Sequence, residues 1–459
     1  MANFRTTQDY VNSVLQLAGE VTNGNSAYTS KALEHLDSIQ KTIIMGGNEF
    51  NVEVDEVWPW AMAKRPMYIE LLPAVEGSVI LTKGSEAITF TAAPTDDNAS
   101  NVSLEGWYIS PNNNNGTVYK IAQHTAGSTS AELSSNVVSS SGTESYTAFK
   151  LEYDLAPSHI VIESNVNDRL YFAETTAKTA ITATLTAGTY TPSALATEMQ
   201  THLNAGGAST YTVSYDTVTK RFDFNSDGSG GDNVFYLLSE LSSQTLNEVR
   251  SRSVLPTLGT GLRDITATTT SGSASVIETD NVLGAVARLV QPIKLHVKNS
   301  SYADYLEIAT LDPITFDREY PLYQTLERDP THMKVLDHNH EGTMRVQFNT
   351  YPKERRMIEI PYVPVPVHLY NNAASFPLIP RTMSKVLEYG AAAWLLFEKE
   401  DSKWEAYYKL AGQKLQSMMA SNRKTDQRLS RHFGEVIARE DLMPSRRRRL
   451  QYGYTAGSS

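Results

Sequence analysis

The 459-residue chain contains no cysteine. That excludes disulfides, thiolate zinc sites and cysteine nucleophiles outright. Nowhere does it hold the run of about 18–20 apolar residues that a bilayer-spanning helix requires. Its opening residues, MANFRTTQDY, lack the apolar segment of a secretory signal. The expectation is a protein that folds in a cytoplasm and has no membrane partner. Walker A, G-x-S-x-G, HExxH and dinucleotide-binding motifs are also missing. The chain therefore reads as non-enzymatic, with no catalytic residue, cofactor or metal ligand assigned.

What is present is ordinary in amount and uneven in placement. Hydrophobic residues make up 41% and charged residues 20%, the proportions of a globular protein. The length suits about three domains. The formal net charge is −11, yet from Arg381 onward Lys and Arg outnumber Asp and Glu by 15 to 9. A basic end on an acidic body suggests an acidic partner for that end.

Helical periodicity is strong only at the two ends. Thr6 with Asp9 resembles a capping box, and Tyr10, Val11, Val14, Leu15 and Ala18 follow at helical spacing. After the turn TNGNS, a second stripe runs through Leu36, Ile39, Ile43 and Ile44 to Gly46-Gly47. Trp58 and Trp60 read as core anchors. Late in the chain, Leu387, Gly390, Ala391 and Trp394 mark one helix face, and Trp404, Tyr408, Leu415 and Met418 mark another. The short EKED link between them predicts a helical hairpin. A hairpin buries one seam only, so the N-terminal helices are its natural complement. The expected shared core is Val14, Leu36, Ile43, Leu387, Trp394, Trp404, Tyr408 and Leu415.

The middle has a β texture. Residues 73–155 read as an inserted antiparallel β-domain, with GWYISPNNNNGTVYKIAQH as a hairpin. Residues 156–282 read as an inserted α+β domain. There HIVIESNVNDRLYFAE forms a strand pair, a helix starts at Thr191-Pro192, and YTVSYDTVTKRFDF forms a hairpin. In the following stretch Met344, Val346 and Phe348 alternate, YPKERR turns, and Met357, Ile358 and Ile360 return. Pro361, Pro364 and Pro366 then carry the chain out of the sheet as an edge or arm. The fold class expected is α+β multidomain: a helical bundle from both chain ends with a small β-sheet, plus the two insertions.

The order RRMIEIPYVPVP, then Ile379-Pro380, an Ala-rich helix, an acidic turn and a Tyr/Trp/Lys/Leu-rich helix resembles bacteriophage head-to-tail adaptor (connector, head-completion) proteins. TTQDYVNSVLQLAGE and VWPWAMAKR resemble the same family's opening segments. The likeness covers roughly residues 1–72 and 283–422, which would be the adaptor core, with residues 423–459 as a basic tail. It implies a structural virion protein at the head–tail interface, a homo-oligomeric, dodecameric ring below the portal that extends the DNA channel. The implied partners are the portal protein, a downstream tail, nozzle or gatekeeper protein, and genomic DNA passing without sequence-specific binding. Arg446, Arg447, Arg448, Arg449, Tyr452 and Tyr454 would dock between portal subunits, Arg forks on carboxylates and Tyr as large polar-tipped area. A surface-binding module for host glycans or virion decoration is the alternative, and a tail depolymerase a third reading.

Two polar clusters have residue types that could ligate a metal. Asp223, Asn225, Asp227 and Gly228 match the start of an EF-hand loop, but its twelfth position is Val234 rather than Glu. His332, Asp337, His338, His340 and Glu341 gather near one strand, with His338 and His340 at a spacing that shares a face. Both read as polar loops.

Overall fold

The computed structural model describes residues 5–20, 26–111, 117–138, 141–230, 232, 234–242, 245, 252–268, 275–296, 305–322, 326–338, 343–370 and 375–437, the last fourteen of these as helical backbone. The helices are α1 (Thr7–Leu17), α2 (Ser26–Met45), α3 (Pro192–Gly206), α4 (Pro313–Glu319), α5 (Lys385–Glu398) and α6 (Trp404–Ile437). The chain divides into two compact units. A helical unit takes Gln8–Trp60 and everything from Ile379 on, and a β-rich unit takes Ala61–Leu378 with the residues up to Thr7.

The expected fold class is overturned. Strand outweighs helix, 34% against 26%, and the β part is a closed six-stranded barrel with several further sheets rather than a small sheet beside a helical bundle. Residues 283–378, expected beside the helices, fall in the β-rich unit.

In the helical unit, the apolar stripes of α1 and α2 are the buried ones: Tyr10, Val11, Val14, Leu15, Leu36, Ile39, Ile43 and Ile44. Gly46 ends α2 with φ +88°, a left-handed cap that costs glycine little. A two-stranded ribbon follows, Gly47–Glu49 against Val52–Val54. Its turn is made by Phe50 and Asn51, both at positive φ, as a hairpin turn that matches strand twist requires. Positive φ is costly for Phe. The return is contact, because the buried Phe50 ring lies against α5 at Gly390.

The β-rich unit holds three main cores. The barrel runs Val75–Leu81, Ala87–Phe90, Ser130–Leu133, Tyr119–His124, Tyr108–Pro111, Gly142–Phe149, and the last strand pairs back onto the first, Val75 facing Ala148. Alternate residues point inward, so Val79, Phe90, Ile109, Ile121 and Tyr146 share one interior. Closure leaves no exposed edge. A seven-stranded sheet comes next, in the order Glu152–Asp154, Met344–Phe348, His332–His338, Tyr305–Thr310, Ile293–His296, Arg356–Ile360, Met67–Leu71. The third core packs α3 against Tyr211–Asp216 and Arg221–Ser226, with Phe222, Phe224, Leu195 and Met199 buried. Thr191 caps α3 by accepting from the Ala194 amide, and Pro192 fills the first helical position.

Two expected hairpins are corrected. Met344–Phe348 and Arg356–Ile360 do not pair: three other strands of the sheet lie between them. Alternation reports two-faced strands but not their partners, and YPKERR is a crossing rather than a turn. Likewise Ile160–Ile162 pairs with Gly188–Tyr190, while Arg169–Ala173 pairs with Ile181–Thr184 and Val234–Leu237. Tyr362–Pro364, expected to leave the sheet as an edge or an extended arm, does leave the seven-stranded sheet and pairs with Val286–Leu289 in a separate two-stranded sheet.

Candidate interaction surface on the helical unit

The α5–α6 hairpin is antiparallel, as its ring contacts show: Phe397 meets Trp404, Trp394 meets Tyr408, and Tyr389 meets Tyr407. Short connections force that arrangement. Five rings pack edge-to-face, Phe50 on Tyr408 at 5.4 Å, Tyr408 on Trp394 and Trp404 at 6.0 and 5.9 Å, and Phe397 on Trp394 and Trp404 at 6.0 and 5.2 Å. This geometry aligns positive ring edges with negative faces.

The expected core residues split into two groups. Val14, Leu36, Ile43, Leu387 and Leu415 are fully buried. Trp394, Trp404 and Tyr408 are only half-buried, which corrects their assignment to the interior. Phe397 completes the outer end of the ring cluster and is 51% exposed, with Leu410 at 40% and Met45 at 41% on the same unit. Neither Phe397 nor Phe50 was singled out from the sequence. Phe397 lies just outside the expected stripe, and Phe50 in a turn, so periodicity carried no signal for either.

Charged residues clamp this unit. Lys31 of α2 donates to Glu398 at the end of α5 at 2.6 Å, across 367 residues of chain. That bond holds the Glu398 carboxyl below its usual range. His35 lies 3.1 Å from Glu398, off the hydrogen-bonding direction. Burial, the largest influence, lowers its pKa and so favours the neutral ring. Lys399 donates to the Ala18 carbonyl at 3.1 Å and to Glu20 at 2.5 Å. Trp394 donates to Glu49 at 3.2 Å, a carboxyl whose pKa burial raises. Near the far end, Asn422 donates to the Val57 carbonyl at 3.3 Å and Arg423 pairs with Glu56. Trp58, fully buried, donates from its indole to the Ile43 carbonyl at 2.8 Å.

With 34 residues α6 outruns the 14 of α5. At 1.5 Å per residue it continues about 20 Å past Arg423. Arg446, Arg447, Arg448, Arg449, Tyr452 and Tyr454 lie outside the described residues.

In the first of the two polar clusters, Asp227 accepts from the Thr210 and Ser229 amides, as a turn carboxylate does. His332 is engaged by Tyr320 and Thr331 at 2.9 Å each, and Asp337 by Arg345. His340 and Glu341 lie outside the described residues. The helical unit presents aromatic edges over a buried core, an arrangement of the kind that protein interfaces favour. The sequence matches no protein-family model and no curated protein.

Proposed function

We propose that the chain is a structural, non-enzymatic subunit of a bacteriophage head-to-tail adaptor. It would assemble as a ring, a dodecamer by resemblance, between portal and tail, extending the channel through which the genome passes. The observation that supports this reading most is the composition of the helical unit. Segments at opposite ends of the chain share one interior, and α6 runs on from that interior toward the basic end. An assembly protein needs such a rigid platform, with partly exposed aromatics beside it for neighbouring copies. The strongly acidic remainder suits a conduit that repels phosphate instead of holding it.

The test is co-sedimentation with the portal protein at physiological salt, alongside negative-stain images of the chain with and without it. Ring-shaped complexes are expected with portal, and replacing Arg446–Arg449 by alanine should weaken attachment. Unchanged attachment of that variant would remove the tail from the contact. Absence of any portal complex would refute the reading itself.

A further inference from the structure

Where the barrel passes the chain on to the seven-stranded sheet, a cleft of about 460 Å³ opens, its charged lining being Glu105, Lys120, Lys150, Glu152, Asp154 and Arg345. That volume lies in the range of small-molecule sites. One lining carboxylate is engaged on both oxygens. Glu152 accepts the Tyr108 hydroxyl and the Lys120 ammonium, the latter at 2.7 Å, and Arg345 stands 3.7 Å away. Arg345 in turn forks onto Asp337, Nε to Oδ1 at 2.9 Å and Nη2 to Oδ2 at 2.5 Å. Two of the three cations are therefore matched within the protein.

Lys150 is not. Its ammonium lies 4.8 Å from the centre of the Tyr153 ring, and among the described residues it forms no ion pair. Burial pushes its pKa down, against the field of Asp154, and Lys220 adds repulsion. A lysine left in that state gains from an anion brought by a ligand. The Glu105 and Asp154 carboxylates can exchange their water for hydroxyl donors on a ligand. Each is exposed and can only accept, and neither side chain is hydrogen-bonded among the described residues. Between Ile121 and Gln123 the barrel ladder slips by one residue, and the bulged Ala122 lines the cleft. Bulges of this sort recur beside binding sites.

We propose that this cleft binds a small hydroxylated carboxylic acid of the hexuronate kind, its carboxylate on Lys150 and its hydroxyls donating to Glu105 and Asp154. A simple anion satisfies only the lysine, and a neutral sugar only the carboxylates. A sugar acid satisfies both from one ring. The inference is independent of any role in a virion.

Titration calorimetry of the full chain with glucuronate, glucose, acetate and glutamate tests it. Glucuronate should bind saturably, with glucose and acetate each weaker by about tenfold, the loss of one charge-assisted hydrogen bond or more. Lys150→Gln should weaken glucuronate by a similar factor, with folding checked by near-ultraviolet circular dichroism. Glu105→Gln, on an exposed turn, should weaken glucuronate while leaving acetate unchanged. No saturation with glucuronate, equal affinity in both variants, or tighter binding of the zwitterion glutamate would each overturn the assignment.

Discussion

Replacing Gly390 by alanine sets two effects of opposite sign against each other. Within a helix, alanine is better than glycine by about 1 kcal/mol, so propensity alone predicts a stabilised protein. The site predicts the reverse. A Cβ at position 390 would stand 2.3 Å from Phe50 Cζ and 2.9 Å from Ile39 Cδ1. The Phe50 ring cannot simply swing aside: it is 5% exposed, edge-on to Tyr408 at 5.4 Å, and carried by a turn residue with φ +54°. Overpacking of this kind costs about 1–3 kcal/mol, and here it separates α5 from both the ribbon and α2. An approach of 2.3 Å belongs in the upper half of that range, about 2–3 kcal/mol, so the clash should win by about 1–2 kcal/mol. At roughly 4 °C per kcal/mol, helical ellipticity should melt about 4–8 °C lower. Gly206, where a Cβ would meet nothing closer than 3.6 Å, is the control, and its alanine variant should melt at or slightly above the parent. A Gly390→Ala protein as stable as the parent would show that Phe50 does not seat against α5.

Arg355 holds three carboxylates, Glu70 at 3.0 Å, Asp96 at 2.5 Å and Asp97 at 2.6 Å. Arg355→Ala leaves these facing one another and should speed hydrogen exchange at the Asn98 and Ser100 amides that Asp96 accepts from. Unaltered exchange there would show the Arg355 contacts to be idle. Tyr146, buried in the barrel, has its phenol pKa pushed up to about 12 by burial. The folded state thus keeps the proton that the unfolded chain gives up near pH 10, so the stabilisation is whole below pH 10 and is lost as pH rises toward 12. Two units correspond to about 2–3 kcal/mol. Tyr146→Phe should flatten the alkaline fall in denaturant midpoint between pH 10 and 12, and an unchanged slope would refute the attribution.

The elements legible in the sequence are those whose cause is local. The stripes of α1 and α2, the Thr191–Pro192 start of α3 and the Tyr211–Ser226 hairpin depend on residues a few positions apart. The corrected elements depend on distant ones. Met344–Phe348 and Arg356–Ile360 carry the alternation of a hairpin, and alternation is identical whether the neighbour is the next strand or one brought from residue 67 or 152. The ring cluster was half legible: spacing placed Trp394, Trp404 and Tyr408 on facing stripes but could not tell that they lie at the seam's outer end beside Phe397.

Composition and periodicity by themselves determined where α1, α2, α5 and the start of α6 form, which faces of α1 and α2 turn inward, and which chemistries the absence of cysteine forbids, because those follow from neighbours along the chain. Tertiary structure alone decided that Val75 closes a barrel on Ala148, that Phe50 demands a glycine 340 residues later, and that Lys150 comes to rest near carboxylates without an ion pair among the described residues. Such meetings are set by whichever long-range packing repays the entropy of loop closure, and no short window of sequence contains both partners.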